Sequence, residues 1–215
     1  MYPKGNLLIP ASHGQLEAIL KEVSEPKGVA LVCHPHPLGG GTMHNKVVFR
    51  VAAGLVDAGL TTLKFNFRGV GASTGVHNEI AGGVEDVRDA LNWLKENYVG
   101  QPITLAGFSF GARTGLQVGI EDEDIVRLIS IGTPVDKYGD FDFLIGETKP
   151  ILFVHGDRDE FGELAHVREL VDEVALTADA TLVSFDGCGH FFDEHLNELR
   201  ETVKVWTQQQ IAQDQ

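Results

Sequence analysis

Six short runs of apolar and β-branched residues set the frame of this chain. They cover residues 29–34, 61–67, 103–107, 127–132, 151–155 and 181–185. Continuous apolar runs of this length suit strands buried on both faces, which is the habit of parallel sheet. Parallel neighbours cannot be joined by a tight turn, so long crossovers, usually helical, must separate them. Helical periods are found there. Val47, Val48, Val51, Ala52, Leu55 and Val56 share one face and stop at Gly59. Val84, Val87, Leu91 and Leu94 form a second face, with Glu85 and Asp86 expected in the first turn, where the helix dipole favours anions. Leu164, Val167, Leu170, Val171 and Val174 form a third, and Phe192, Leu196, Leu199, Val203 and Trp206 a fourth. Upstream, 6–10 and 15–23 read as an antiparallel pair joined around His13 and Gly14. The expectation is an α/β fold with helices on both faces of the sheet. With 215 residues and no repeat, linker or low-complexity stretch, a single domain over 1–215 is expected.

Composition narrows the partners. Lys and Arg number 17 against 31 Asp and Glu, a formal charge of −14. Phosphate binding needs clustered cations, so nucleic acid and anionic membrane are not expected as partners. No apolar run approaches the ~20 residues that span a bilayer. The N-terminus lacks a basic stretch followed by an apolar one, and Cys33 and Cys188 do not make a disulfide framework, so the cytoplasm is the expected compartment. Glycine is abundant, at 25 residues, and gathers at 39–41, 69–75, 107–119 and 187–189. Such clusters mark backbone where a Cβ is unwelcome.

In open α/β sheets, ligands sit at the carboxyl ends of the strands, so the chemistry is sought there. The pattern Gly-x-Ser-x-Gly occurs twice, at Gly71–Gly75 and at Gly107–Gly111. Ser109 follows a strand directly and opens a segment with Ala112, Leu116 and Ile120 at helical spacing. That is the strand–turn–helix setting of a nucleophile elbow. Gly111, Gly115 and Gly119 add a Cβ-free stripe for close packing on the sheet. Ser73 follows a glycine-rich loop and precedes the polar His77, Asn78 and Glu79, so it reads as a structural loop serine.

A serine needs a base, and the base needs an orienting acid. At this kind of elbow the chain order is Ser, acid, His. The run 151–155 leads into Gly156-Asp157-Arg158-Asp159, and the run 181–185 into Asp186-Gly187-Cys188-Gly189-His190. His190 is the base among nine histidines, because it stands between the flexible glycines that follow the last strand and the final helical period. Asp159 is the preferred acid, since the Gly-x-x-Asp spacing lets the loop turn back; Asp157 is second and Asp186 a distant third. Backbone N–H groups must hold the oxyanion. Phe110, after the nucleophile, supplies one. The loop His34-Pro35-His36-Pro37-Leu38 supplies the other from His36 or Leu38, because proline has no N–H. Leu38 is slightly preferred, as Gly39–Gly41 would let its amide swing inward.

Other residues have blander readings. His34, His36 and His44 resemble a metal set, yet no further ligand follows at suitable spacing, so loop hydrogen bonding is expected and no metal site. Arg68 reads as a structural ion pair, and Cys188 as an inert small residue. Phe108, Phe110, Phe141, Phe143, Phe191 and Phe192 divide between core and acyl-pocket wall.

The segments HPHPLGGGTMHNK, FNFRGVGAS, GFSFGA, HGDRDE and GCGHFF together resemble the α/β-hydrolase superfamily. More narrowly, they resemble its small lidless branch related to dienelactone hydrolases and carboxylesterases, over about residues 6–207. The resemblance implies an eight-stranded, mostly parallel sheet with Ser109, Asp159 and His190 as triad. It also implies hydrolysis of small carboxylic esters without metal or organic cofactor. Two features depart from it: dienelactone hydrolases carry cysteine where this chain has Ser109, and the acid loop lacks the proline that often follows the acid. A thioesterase, peptidase or acyltransferase on the same residues, or a binding protein without catalysis, are the alternatives. Only residues 133–150 separate the runs where related hydrolases insert a lid, so an open pocket and short or water-soluble substrates are expected.

Overall fold

Eight strands form one sheet in the computed structural model, which describes residues 6–139 and 141–214. The first five residues of the N-terminal segment read for a leader lie outside that range. The strands are β1 (Leu7–Ala11), β2 (Gly14–Lys21), β3 (Val29–Cys33), β4 (Thr61–Phe65), β5 (Ile103–Phe108), β6 (Ile125–Ile131), β7 (Ile151–Gly156) and β8 (Ala180–Phe185). Their order across the sheet is β1-β2-β4-β3-β5-β6-β7-β8. β2 is antiparallel to both its neighbours, and the remaining pairs are parallel.

Register brings the carboxyl ends to one edge. Gly107 of β5 lies opposite Cys33 of β3 and Ser130 of β6, Ile131 lies opposite Val154, and Gly156 opposite Phe185. Loops leaving β3, β5, β6, β7 and β8 therefore start side by side.

The period-two alternation of the strands divides the apolar residues between two cores. Val29, Leu31, Cys33, Ile151 and Phe153 join α2 (Glu79–Asn97), α3 (Phe110–Glu121) and α5 (Leu164–Val174) on one face. Ala30, Val32, Leu152 and Val154 join α1 (Lys46–Asp57) and α6 (Leu196–Gln213) on the other. Each large apolar side chain buried this way contributes roughly 1.5–3 kcal/mol. Asn45 caps α1 by accepting from the Val47 N–H at 2.8 Å, a contact worth ~1 kcal/mol. α1 and α6 approach so closely that a Cβ at Gly54 would sit 2.6 Å from the Arg200 carbonyl oxygen.

Between β6 and β7 the described residues form only α4 (Val135–Tyr138) and a 3-10 turn at Asp142–Leu144. Phe141 and Leu144 are buried in the core, so this segment lies down on the domain and makes no lid. No helix among the described residues is long and apolar enough to cross a membrane.

Several boundaries differ from the sequence reading, among them those of β2, which spans Gly14–Lys21 rather than 15–23, and β4, which stops at Phe65 rather than 67. α2 begins at Glu79, so Glu85 and Asp86 lie in its second turn, and Asp86 is buried against Arg68 instead of facing the dipole. α6 begins at Leu196; Phe192 has φ +55° and belongs to the preceding loop. β6 starts at Ile125, two residues before the apolar run.

Candidate active site

Ser109 stands on the turn between β5 and α3 with φ +55° and ψ −117°. A non-glycine residue held there costs on the order of 1–3 kcal/mol, and the surroundings must impose it. They do so through three bonds: the Ser109 N–H donates to Ile131 O at 3.0 Å, and its carbonyl accepts from Ala112 and Arg113. The flanking glycines of the pattern are sterically required. A Cβ on Gly107 would collide with the Gly111 carbonyl, and one on Gly111 with the Cys33 carbonyl. Gly119 is equally confined by Leu128, whereas Gly115 has ordinary room for a Cβ.

The loop after β7 holds Asp159, which is buried. Asp159 Oδ2 accepts from His190 Nδ1 at 2.7 Å, and Oδ1 accepts from the Phe161 N–H at 2.9 Å. This bond fixes which ring nitrogen of His190 carries a proton and leaves Nε2 as the available base. Loop–loop bonds hold the pair in place. Arg158 N donates to Cys188 O at 2.9 Å, and Cys188 N donates to Asp157 Oδ1 at 3.0 Å. Asp157 thus serves the backbone of the histidine loop, and among the described residues no hydrogen bond or ion pair joins Asp186 to His190, whose carboxylate partner is Asp159.

Beneath Asp159 lies His155, wholly buried, whose Nε2–H donates to Gly162 O at 2.7 Å. Burial pushes its pKa down, so it stays neutral beside the carboxylate. The His190 ring packs on Phe161 at 4.5 Å, Phe108 at 4.9 Å and Phe191 at 5.3 Å. A Cβ at Gly132 would reach within 3.2 Å of the same ring. Ser109 and His190 therefore meet at one corner, made by Phe108 and the 131–132 peptide. Among the described residues no hydrogen bond joins the Ser109 hydroxyl to His190; in substrate-free sites such bonds are often long and tighten on binding.

The loop after β3 closes on itself. Gly39 and Gly41 both donate to His36 O, at 3.1 and 3.0 Å, and the Leu38 N–H donates to His36 Nδ1 at 3.2 Å. The amide preferred from sequence already has a partner, and the Leu38 side chain is exposed. The His36 N–H has none among the described residues. Phe110 opens α3, where the first N–H groups lack intrahelical acceptors, and its ring lies 5.0 Å from that of His36.

A family model described as serine aminopeptidase, S33, matches residues 24–141. The chain belongs to this family of α/β serine hydrolases. The hydrolase is 38% identical to an α/β serine hydrolase homologue from Coxiella burnetii, with a TM-score of 0.85 over 95% of this chain and 97% of that one. A lidless α/β serine hydrolase from Xanthomonas campestris is 31% identical, with a TM-score of 0.84 over 98% and 97%. An uncharacterized protein of Rickettsia prowazekii is 35% identical over 198 residues, 88% of this chain and 83% of the relative.

Several bland readings of the hydrolase's sequence hold in the structure. Ser73 is buried; its hydroxyl donates to Asn66 O at 2.6 Å and accepts from the Glu17 N–H at 2.9 Å. Arg68 pairs with Asp86 and Glu85, at 2.9 and 2.8 Å. Cys188 is buried and its thiol is pushed up to about 11. His34 accepts from the Phe67 N–H at 3.0 Å, and burial lowers its pKa to about 3. Among the described residues, the side chains placed to share an ion are His36, His77 and Glu79, not the His34, His36 and His44 considered from sequence. Of the six phenylalanines, Phe108, Phe110, Phe141 and Phe192 are core, Phe143 packs half-buried against it, and Phe191 is 43% exposed. Sequence reasoning missed Phe161, Gly132 and Tyr138. Only Gly132, directly after β6, carried a signal.

Proposed function

We propose that this hydrolase cleaves small carboxylic esters through an acyl-enzyme on Ser109. His190 Nε2 takes the hydroxyl proton as Ser109 Oγ attacks the ester carbonyl, then returns it to the leaving alkoxide. Asp159 holds the Nδ1–H tautomer and stabilises the imidazolium that forms. The Phe110 and His36 amides receive the oxyanion; Leu38 would serve only after releasing His36 Nδ1. Water activated by His190 then attacks the acyl-serine, and the carboxylate leaves. No metal or organic cofactor enters these steps.

One observation carries the reading: a strained serine and a buried, bonded Asp–His pair occupy the same corner of the carboxyl edge. The low segment between β6 and β7 favours short or water-soluble acyl groups. The test is hydrolysis of p-nitrophenyl esters of increasing chain length, with Ser109→Ala as control. Rates should fall from short to long acyl chains; a preference for long-chain lipids would overturn the open-site reading.

A second reading has support in the family description, serine aminopeptidase. Aminoacyl amides assayed beside the esters separate the two. Faster turnover of the amides would assign peptide substrates to the same residues.

A further inference from the structure

Three side chains outside the proposed triad converge beside Phe110. His36 follows β3, while His77 and Glu79 stand at the entrance to α2, and one ligand atom from each lies within 4.8 Å of the others. Glu79 Oε2 is 3.9 Å from His36 Nε2 and 3.8 Å from His77 Nε2. The two imidazoles meet edge to face at 4.8 Å. These separations exceed hydrogen-bond length. They also exceed, by a fraction of an ångström for the carboxylate, the roughly 3.4 Å between ligands that Zn–N and Zn–O bonds of about 2.1 Å impose in a tetrahedron.

Two further observations point to a missing ligand. Among the described residues, His77 Nε2 is buried without a hydrogen-bond partner, in a side chain only 8% exposed. Tyr138 stacks on the His36 ring at 6.2 Å and an 8° interplanar angle, and among the described residues its buried hydroxyl also lacks a partner. Buried polar atoms in native proteins are nearly always paired, so the unpartnered His77 Nε2, 3.8 Å from Glu79 Oε2, calls for a ligand between them.

We propose that His36, His77 and Glu79 bind a divalent transition metal of the zinc class through Nε2, Nε2 and Oε2, with water as fourth ligand. Two imidazoles and one carboxylate with an open position are a donor set that zinc takes, whereas magnesium and calcium prefer oxygen alone. The water gives the Tyr138 hydroxyl the partner it lacks. Lys137, the cation felt at His36, is drawn aside over the Phe161 ring at 4.2 Å.

Binding has a local consequence. Metal on His36 Nε2 requires the proton on Nδ1, which then cannot accept from Leu38 N–H as it now does at 3.2 Å. Occupancy thus releases the Leu38 amide and loosens the turn at Pro37–Gly39, next to the His36 backbone.

The experiment titrates the chelator-stripped full chain with Co²⁺ and follows visible absorption, with Zn²⁺ as competitor. One equivalent should bind with the intense bands of four- or five-coordinate cobalt, and Zn²⁺ should displace it. His77→Ala and Glu79→Gln should each weaken binding at least about tenfold, since even outer-shell losses cost 10–100-fold. Glu79 is exposed, so Glu79→Gln keeps the fold if His77→Ala does not. Ser109→Ala should bind as the parent does, and so should His166→Ala, since His166 is a half-exposed histidine paired with Asp136 at 2.7 Å and not with the cluster. Absence of those bands, or binding lost in His166→Ala but kept in His77→Ala and Glu79→Gln, would overturn the proposal.

Discussion

The chain carries the same five-residue pattern twice, and its two serines end in opposite circumstances. Ser109 holds φ +55° on the turn between a central strand and a helix. Ser73 spends both its donor and its acceptor on backbone groups of Asn66 and Glu17. At the first site the glycines remove side chains that would strike neighbouring carbonyls. At the second, Gly71 and Gly75 supply left-handed turns, with φ of +57° and +84°. The pattern specifies glycine; the elements on either side decide what glycine is for. A strand buried on both faces forces the elbow to the sheet edge, while a loop free to curl turns its serine inward.

The difference should be plainest in catalysis. Ser109→Ala is expected to lower kcat on the order of 10⁴–10⁶-fold, measured as steady-state ester hydrolysis with folding checked by circular dichroism. Ser73→Ala should leave kcat within about tenfold. Its cost should appear in urea unfolding instead, at about 1–3 kcal/mol, because the Glu17 N–H and Asn66 carbonyl lose their partner. Equal kinetic losses in the two variants would erase the distinction.

The acids after β7 sharpen the contrast next. Asp159→Asn should cost about 10⁴-fold in kcat by losing the charge and tautomer control at His190. Asp157→Asn should change kcat little, since the Asp157 carboxylate accepts from the Cys188 N–H, a bond the Asn carbonyl oxygen can keep. A reversed order would move the acid to Asp157.

Smaller again is the oxyanion loop. His36 has φ −52°, which proline can adopt, so His36→Pro removes the N–H while keeping the backbone path. Relative to His36→Ala, it should lose about 10²–10³-fold in kcat. Leu38→Pro is the counterpart; a comparable loss there would return the role to Leu38.

The smallest effect concerns the framework behind the Ser73 loop. His34 is buried neutral, with its pKa lowered to about 3, and holds the Phe67 amide. Because the folded value lies below the unfolded one of about 6.5, its contribution is present above pH 6.5 and is lost as pH falls towards 3. The expected slope is about 1.4 kcal/mol per pH unit for each such group. Buried His155 has the same sign. Denaturant midpoints between pH 7 and 4.5 check this, and His34→Gln should flatten the dependence.

The succession of strands along the chain, and the loops at their carboxyl ends that carry Ser109, Asp159 and His190, could be read from sequence because apolar runs mark strands and strand ends mark loops. The start of α2 could not. Gly82 and Gly83 interrupt its apolar period, and Gly83 is there because a Cβ would meet the Phe110 ring at 2.8 Å. Phe192 has helical spacing yet stays in the loop, since φ +55° ends any helix. Which amide of the loop after β3 is free was hidden for another reason: a His36 side-chain bond occupies the Leu38 N–H. His36, His77 and Glu79 meet only because β3 and the entrance of α2 are neighbours across the sheet edge, which no local spacing encodes.

The most direct test is the site of acylation. The hydrolase is mixed with p-nitrophenyl acetate, quenched in acid within the first turnovers, and digested with trypsin. Peptide 96–113 carries Ser109 and no other serine, while Ser73 lies in peptide 69–88. The expected result is an acetyl mass on 96–113 that Ser109→Ala abolishes. Acetyl on 69–88, or hydrolysis continuing undiminished in Ser109→Ala, would contradict the assignment of Ser109 as nucleophile.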